Sequence, residues 1–146
     1  MSKNSLKNPV YRVVDANINR AKEGLRVCED ISRFILENRR LTEDFRQVRH
    51  KLDSISKIFS EKAFLLRERE SALDIGRNIA FGELKRGGIA DIFFANLQRA
   101  KESARVLEEF AKLRHKQAAL KIKKIRYSLY RIEKESGKAI SKRLKK

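Results

Sequence analysis

Cysteine, proline, glycine and long apolar runs are all scarce in this sequence. Cys28 is the single cysteine among 146 residues, which excludes an internal disulfide. It falls on an apolar helical face, where we expect a small core residue rather than a nucleophile. One proline and six glycines permit long uninterrupted helices. No apolar run approaches the ~20 residues of a membrane span, and the N-terminus is short and polar. We therefore expect a cytoplasmic protein with no membrane partner.

The standard motifs for phosphate, zinc and nucleic acid are also missing. There is no G-x-x-x-x-G-K-[ST] phosphate loop, no kinase glycine loop after a strand and no Cys/His zinc spacing. Neither the aromatic motifs of an RNA-recognition sheet nor a clear helix-turn-helix is present. Any binding site must therefore come from a less common arrangement of side chains.

Positive charge, by contrast, is abundant. Thirty-six Lys and Arg against 19 Asp and Glu give a net charge of +17. Such a chain attracts polyanions, including nucleic acid and phosphorylated metabolites. Much of the excess lies in one C-terminal stretch: Lys121, Lys123, Lys124, Arg126, Lys142, Arg143, Lys145 and Lys146. A solvated helix face with a basic tail is the simplest interpretation of that stretch, and a basic nucleic-acid-binding protein is kept as an alternative.

The most informative feature is an internal repeat. Residues 16–30 recur 79 positions later as residues 95–109, with 9 of 15 positions identical. The repeated polar pairs are Asn17/Asn96, Arg20/Arg99, Glu23/Glu102, Arg26/Arg105 and Glu29/Glu108. Helix packing alone would repeat the apolar positions and let the polar ones vary. The shared Asn-x-x-Arg-x-x-Glu pattern therefore predicts a duplicated polar site.

Apolar periodicity predicts four helices in one domain. Asn8-Pro9 indicates a turn or helix start, Asp15 is the predicted N-cap of the first helix, and Thr42 that of the second. The predicted helices cover residues 15–38, 42–62, 89–113 and 116–140. Four residues of the second helix recur in the fourth at an offset of 77: Arg49/Arg126, Leu52/Leu129, Ile55/Ile132 and Lys57/Lys134.

The repeated unit is thus a helical hairpin, and two copies predict an all-α, antiparallel four-helix bundle with a long central loop. The expected organisation is repeat one at about 15–62, the loop at about 63–89, repeat two at about 90–141 and a basic tail at 142–146.

In such a bundle Asn17 and Asn96 face the interior, and Arg20 and Arg99 lie at the edge of the apolar stripe. An arginine at that edge needs a carboxylate or a bound anion. Two interpretations stay open. One is an ion-pair and amide network that sets the bundle register, and the other is a polar pocket for a small phosphorylated molecule.

Glu23 and Glu102 follow the two arginines by three residues and can pair with them. Their carboxylates also suit Mg²⁺ or general-base chemistry. His50 is a further candidate, although a lone histidine on a helix is more often structural.

The long segment between the two repeats is a second candidate region, because connections of this length are usually functional or disordered. Its glycines allow close backbone approach to a ligand and its cations can meet anions. These residues are Gly76, Gly87, Gly88, Arg67, Arg69, Arg77, Lys85 and Arg86. A mobile basic loop without a ligand is the alternative.

Four strings together resemble one family. They are residues 11–30, Arg49-His50, Arg69-Glu70-Ser71-x-x-Asp74-Ile75-Gly76 and residues 95–109. They resemble the small helical hydroxymethylpyrimidine-phosphate kinases of thiamine biosynthesis over about residues 10–114. Glu70 and Ser71 stand where the family has Asp and Thr. In many bacteria this domain is fused ahead of thiamine-phosphate synthase, so a functional link to that enzyme is expected. Because it ends after the fourth helix, the chain looks like the stand-alone form.

The resemblance implies a reaction in which ATP, assisted by Mg²⁺, phosphorylates 4-amino-5-hydroxymethyl-2-methylpyrimidine phosphate to the pyrophosphate. The implied catalytic and metal-binding residues are Glu23, Asp74 and Glu102. The implied substrate-binding residues are Asn17, Arg20, His50, Asn96 and Arg99. The implied nucleotide- or phosphate-binding residues are Arg49, Arg69, Gly76 and Arg86. A chorismate-mutase-like small-metabolite enzyme is a further alternative, and a homodimer is left open.

Overall fold

The fold is that of a computed structural model, which describes residues 3–60 and 87–144. Its elements are α1 (Lys3–Asp30), a π-helical turn (Ile31–Ile35), α2 (Arg39–Ser60), α3 (Ile89–Arg114) and α4 (Lys116–Leu144). These ranges contain helices and no strand, which confirms the all-α prediction. No helix within them is both long and apolar enough to cross a membrane.

The first helix begins much earlier than predicted. It starts at Lys3, includes Pro9, and places Asp15 in its interior at 4% exposure rather than at an N-cap. Tyr11 and Val14 are buried, and the Tyr11 ring meets Phe59 edge to face, with ring centroids 6.3 Å apart. Burial of this apolar face stabilises the extra turns, which outweighs the local stop signal of the proline.

A π-helical turn ends the first helix and changes the prediction for the second. The Leu36 N–H donates to the Ile31 carbonyl at 2.9 Å, and Ile35 in this wider turn is exposed. Asn38, not Thr42, then caps α2, because its Oδ1 accepts the Leu41 N–H at 3.0 Å. The Thr42 hydroxyl instead donates to the Asn38 carbonyl.

Each helix packs against two others. Helix α1 contacts α2 and α3, and α4 also contacts α2 and α3. In several of these contacts, residues early in one helix meet residues late in the other. The Cys28 thiol near the end of α1 donates to the Phe93 carbonyl near the start of α3, and Glu108 in the second half of α3 pairs with Arg126 in the first half of α4. The Phe45 and Phe93 rings are buried in the core between the helices, with their centroids 5.7 Å apart.

Helices α1 and α3 approach each other closely because small residues line their contact. A Cβ placed on Gly24 would lie 2.6 Å from the Asn96 carbonyl oxygen, far inside van der Waals contact. Ala21, Ala100 and Ser103 are also buried along this seam. The repeated stretch therefore lies at a close contact between α1 and α3.

Candidate functional site

The two repeated asparagines adopt the same conformation in both copies. Asn17 donates its Nδ2–H to the Val13 carbonyl, and Asn96 donates to the Ile92 carbonyl, both at 2.8 Å and both four residues back along the helix. Asn17 is buried, as predicted, whereas Asn96 is half-buried. The duplication in sequence is thus matched by a duplication in side-chain geometry.

Four of the repeated side chains, Arg20, Glu23, Arg99 and Glu102, lie on the outer side of α1 and α3. On α1, Lys22 and Glu29 point to α2, where they pair with Asp53 and Arg49, while Gly24 meets α3. At about 100° per residue, Arg20 and Glu23 therefore fall on the side turned away from α2. The same spacing places Arg99 and Glu102 on the equivalent side of α3. We call the exposed surface formed by these four residues the α1–α3 face.

The helix register brings the two copies together on the α1–α3 face. Because Gly24 lies against Asn96 and Ala100, moving one turn back along α1 places Arg20 at about the level of Glu102. The same register places Glu23 at about the level of Arg99. An arginine and a carboxylate of each copy can therefore address one ligand from two sides.

The predicted pairing of Glu23 with Arg20 and of Glu102 with Arg99 does not form among the described residues. All four side chains are exposed. Glu102 accepts a hydrogen bond from Gln98 Nε2 at 3.2 Å, and Arg20, Glu23 and Arg99 have no hydrogen bond or ion pair within the described part of the chain. Exposed pairs gain little net energy, so the helices do not require them.

The register network exists, but other residues form it. Glu29 accepts from Arg49 Nε at 2.6 Å, and Glu108 accepts from Arg126 Nε at 2.7 Å. Both carboxylates are buried and both guanidinium groups are mostly so. Hydrogen bonding to the carboxylate raises the pKa of each arginine. These buried pairs join α1 to α2 and α3 to α4. Arg20 and Arg99 take no part in such interhelical ion pairs among the described residues.

The sequence held the signal for these pairs. Glu29 and Glu108 repeat at an offset of 79, and Arg49 and Arg126 repeat at 77. Taken together, two acids repeated on the first helix of each hairpin and two arginines repeated on the second predict one ion pair within each hairpin.

Two predicted site residues lie away from the α1–α3 face. The Arg49 guanidinium is bound by Glu29, so a phosphate would have to compete with a buried carboxylate for it. His50 is exposed on α2, which packs against α1 and α4. Its carbonyl accepts a hydrogen bond from the Ser54 hydroxyl at 3.3 Å.

The remaining predicted residues fall outside the described ranges. They are Arg67, Arg69, Asp74, Gly76, Arg77, Lys85 and Arg86. Next to this segment, the Gly87 N–H donates to Asp91 Oδ2 at 3.1 Å ahead of α3. In residues 3–60 and 87–144, no cluster of three or more His, Cys, Asp or Glu side chains could hold a metal ion.

These features define a basic helical domain with an internally duplicated polar face. A sequence model of the ThiD2 family matches residues 12–135, and the chain belongs to that family. This confirms the resemblance to the thiamine-biosynthesis family that the sequence motifs indicated.

Relatives named thiamine-phosphate synthase agree with this assignment. The protein of that name from Synechocystis sp. is 38% identical over 125 residues, covering 85% of this chain and 35% of the relative. The one from Nostoc punctiforme is 35% identical over 132 residues, covering 90% and 36%. The one from Rhodopirellula baltica is 34% identical over 128 residues, covering 87% and 34%. The chain thus spans about a third of the length of these curated relatives. No solved structure matches it.

Proposed function

We propose that this chain is a kinase of thiamine biosynthesis that transfers the γ-phosphoryl group of ATP to 4-amino-5-hydroxymethyl-2-methylpyrimidine phosphate. Family membership and the relatives' shared name support a place in that pathway. One structural observation supports the α1–α3 face as the site of this reaction. Arg20 and Arg99 occupy equivalent exposed positions on the α1–α3 face and make no ion pair among the described residues, although other repeated charges are paired.

The proposed chemistry needs charge neutralisation and alignment more than a strong base. An oxygen of the substrate phosphate, already an anion at neutral pH, attacks the γ-phosphorus. The bond from that phosphorus to the β,γ-bridging oxygen breaks, and ADP leaves with the electron pair. We assign Arg20 and Arg99 to the phosphate oxygens, which arginine contacts through two parallel hydrogen bonds. Asn17 and Asn96 are the proposed partners of the aminopyrimidine.

Mg²⁺ fits this donor set as a substrate-bound ion. It is commonly held by one or two carboxylates together with substrate phosphates and water, so a closed protein cage is not needed. Glu23 and Glu102 would hold it on the α1–α3 face, with Asp74 as a further proposed ligand; bound there, Mg²⁺ neutralises charge on the phosphates. Arg69, Gly76 and Arg86 are proposed to complete the phosphate contacts.

We also propose that the domain is an antiparallel bundle made by duplication of one helical hairpin. The matched pairs Glu29–Arg49 and Glu108–Arg126 support this, because each joins the two helices of one sequence repeat. The matched hydrogen bonds of Asn17 and Asn96 support it as well.

The direct test is incubation of the protein with Mg-ATP and the pyrimidine phosphate, followed by ³¹P NMR for the pyrophosphate product and ADP. We expect Arg20→Ala and Arg99→Ala each to lower kcat/KM by roughly 100-fold, about 2.7 kcal/mol of transition-state stabilisation. Both variants should keep the unfolding midpoint of the wild type, since exposed substitutions change stability little.

Arg26→Ala is the matched control, because Arg26 is an exposed arginine on α1 whose one ion pair among residues 3–60 and 87–144 is with Asp30, at 4.0 Å. It should retain activity. A folded wild-type protein that produces no ADP from these substrates would refute the proposed function. Equal loss in the Arg20 and Arg26 variants would refute the α1–α3 face as its site.

A further inference from the structure

A second surface of the bundle has the character of a binding pocket. Between α2 and α4 lies a pocket of about 300 Å³ lined by Lys51, Ser54, Ile55, Lys121, Lys124 and Ile125. It opens between the two helices that do not form the α1–α3 face. It is therefore separate from the site of the proposed function, and the inference does not depend on that function.

Charge along the α2–α4 contact is distributed unevenly. At one end cations meet carboxylates, as in Arg131–Asp44 at 3.8 Å and Arg40–Glu135 at 3.7 Å. At the other end the pocket presents lysines and no acidic residue in its lining. Residues 116–132 of α4 contain no Asp or Glu at all.

The three lysines of the pocket have no carboxylate partner within the described part of the chain. Lys51, Lys121 and Lys124 are exposed side chains that line one cavity, whereas Lys22 and Lys101 elsewhere in the bundle each bind a carboxylate across helices. Like charges gathered in this way repel one another, and a bound anion removes that repulsion.

The pocket also has an apolar floor. The methylene stems of the lysines supply its apolar surface up to their charged ends, and the buried side chains of Ile55 and Ile125 lie beneath them. Ser54 adds a hydroxyl group at the rim. A concave site with an apolar base and a few converging polar groups is typical of small-molecule binding, and its volume corresponds to a small ligand.

We propose that this pocket binds a small organic phosphate with two or more negative charges and an apolar body about the size of one aromatic ring. The ammonium groups of Lys51, Lys121 and Lys124 bind the phosphate oxygens as point charges, and the ring lies against the methylene stems of these lysines, above the buried Ile55 and Ile125. The pocket lies between two helices and its volume of about 300 Å³ is that of a small-molecule site, which favours a small ligand over nucleic acid.

Phenyl phosphate and inorganic phosphate are suitable probes, titrated into the full chain and followed by amide chemical shifts in NMR. Phenyl phosphate should bind several-fold more tightly than inorganic phosphate because only it covers the apolar floor. The largest shifts should map to Lys51, Ser54, Lys121 and Lys124. Arg99→Ala should leave these shifts unchanged, which separates this site from that of the proposed kinase.

The decisive variant is Lys121→Gln/Lys124→Gln. We expect it to weaken phenyl phosphate binding at these amides at least about tenfold, or ~1.4 kcal/mol. The matched control is Lys134→Gln/Lys138→Gln, which removes the same charge from exposed positions of the same helix outside the pocket. It should change the affinity less than about twofold, since distant exposed charges are screened by salt.

Three results would overturn the proposal. The first is the absence of saturable shifts at the pocket amides of the wild type up to 10 mM phenyl phosphate. A Kd of 10 mM corresponds to binding ~2.7 kcal/mol weaker than a Kd of 100 μM. The second is an equal loss of affinity in the two double variants, which would indicate attraction to net charge alone. The third is displacement of phenyl phosphate by a uridine oligonucleotide whose own affinity falls equally in both variants, which would indicate an extended polyanion surface.

Discussion

Cys28 shows how burial determines the chemistry of one residue. The side chain is fully buried and its thiol donates to the Phe93 carbonyl at 3.4 Å. Burial raises the pKa of the thiol from 9.0 to about 12. A thiolate is therefore strongly disfavoured at neutral pH, and this agrees with the sequence-based interpretation of Cys28 as a core residue rather than a nucleophile.

This pKa shift predicts a loss of stability in alkaline solution. Below pH 9 the thiol is protonated in both the folded and the unfolded chain, so its stabilising contribution is complete. Between pH 9 and about pH 12 the unfolded chain loses the proton while the folded chain keeps it. Stability should fall as pH rises through this window, by about 1.4 kcal/mol from this group at pH 10. Urea unfolding of the wild type and Cys28→Ala at pH 8 and pH 10 measures it. An equally steep fall in the variant would contradict this assignment.

Glu108 tests the energetic role of a buried ion pair. Glu108 and Arg126 are only 6% and 12% exposed, so removal of one partner leaves a largely buried charge. Glu108→Leu should destabilise the protein by about 3–5 kcal/mol, and adding Arg126→Met should recover most of that loss. The exposed Glu109, which pairs with Lys112 at 2.6 Å, provides the comparison, and Glu109→Gln should have little effect. Urea unfolding of the wild type, Glu108→Leu, Arg126→Met, the double variant and Glu109→Gln measures these effects. A double variant as unstable as the sum of its two single changes would argue against a paired role.

At the scale of the helices, two glycines make opposite predictions. Gly24→Ala places a methyl group 2.6 Å from the Asn96 carbonyl oxygen, so α1 and α3 must separate. We expect a cost of about 1–3 kcal/mol. A Cβ at Gly137, in the last third of α4, meets no atom within 4 Å. Gly137→Ala should therefore stabilise the protein by about 0.5–1 kcal/mol through helix propensity. Two changes of the same sign in urea unfolding would contradict the close α1–α3 contact.

The limits and buried faces of the helices were predictable where they depend on the apolar pattern of the helix itself. The limits of α3 agree with the apolar period, and the buried position of Asn17 followed from its angle on the helix. The start of α1 was not predictable in this way, because Tyr11 and Val14 are held helical by contacts with distant residues such as Phe59. Local patterns do not contain that information.

The candidate site was predictable in part for a similar reason. The repeat identified Arg20 and Arg99 as unusual, and both are exposed. Their common position on the α1–α3 face follows from the helix angles and the register at Gly24. Which acid each arginine binds depends on the packing of neighbouring helices rather than on spacing along one helix. The carboxylates that do bind arginine, Glu29 and Glu108, reach across to α2 and α4. Spacing of three residues favoured Glu23 and Glu102, but an exposed pair on one helix gains too little to form reliably.

At the scale of the whole molecule, the helix contacts set the path of the chain. Phe59, close to the end of α2, lies near His115, with ring centroids 6.5 Å apart. Gly87, which precedes α3, instead lines a surface pocket together with Leu144, the last residue of α4. Helices α2 and α3 therefore run in the same direction, and the end of α2 and the start of α3 lie roughly 30 Å apart for helices of this length. In the proposed arrangement of two hairpins, the connection between them has to span that distance.

The net charge of +17 gives a prediction for the whole molecule. Repulsion among surface cations opposes the compact state, and salt screens it, since the Debye length falls from about 10 Å at 0.1 M to about 3 Å at 1 M. Buried pairs such as Glu29–Arg49 are screened far less. The thermal midpoint should therefore rise by several degrees between 20 mM and 500 mM sodium chloride. This corresponds to an increase of roughly 1–2 kcal/mol in the free energy of unfolding. Lys134→Gln/Lys138→Gln lowers the net charge at exposed positions and should show a smaller rise. A midpoint that falls with salt would mean that attraction within surface ion pairs outweighs the repulsion of the excess cations.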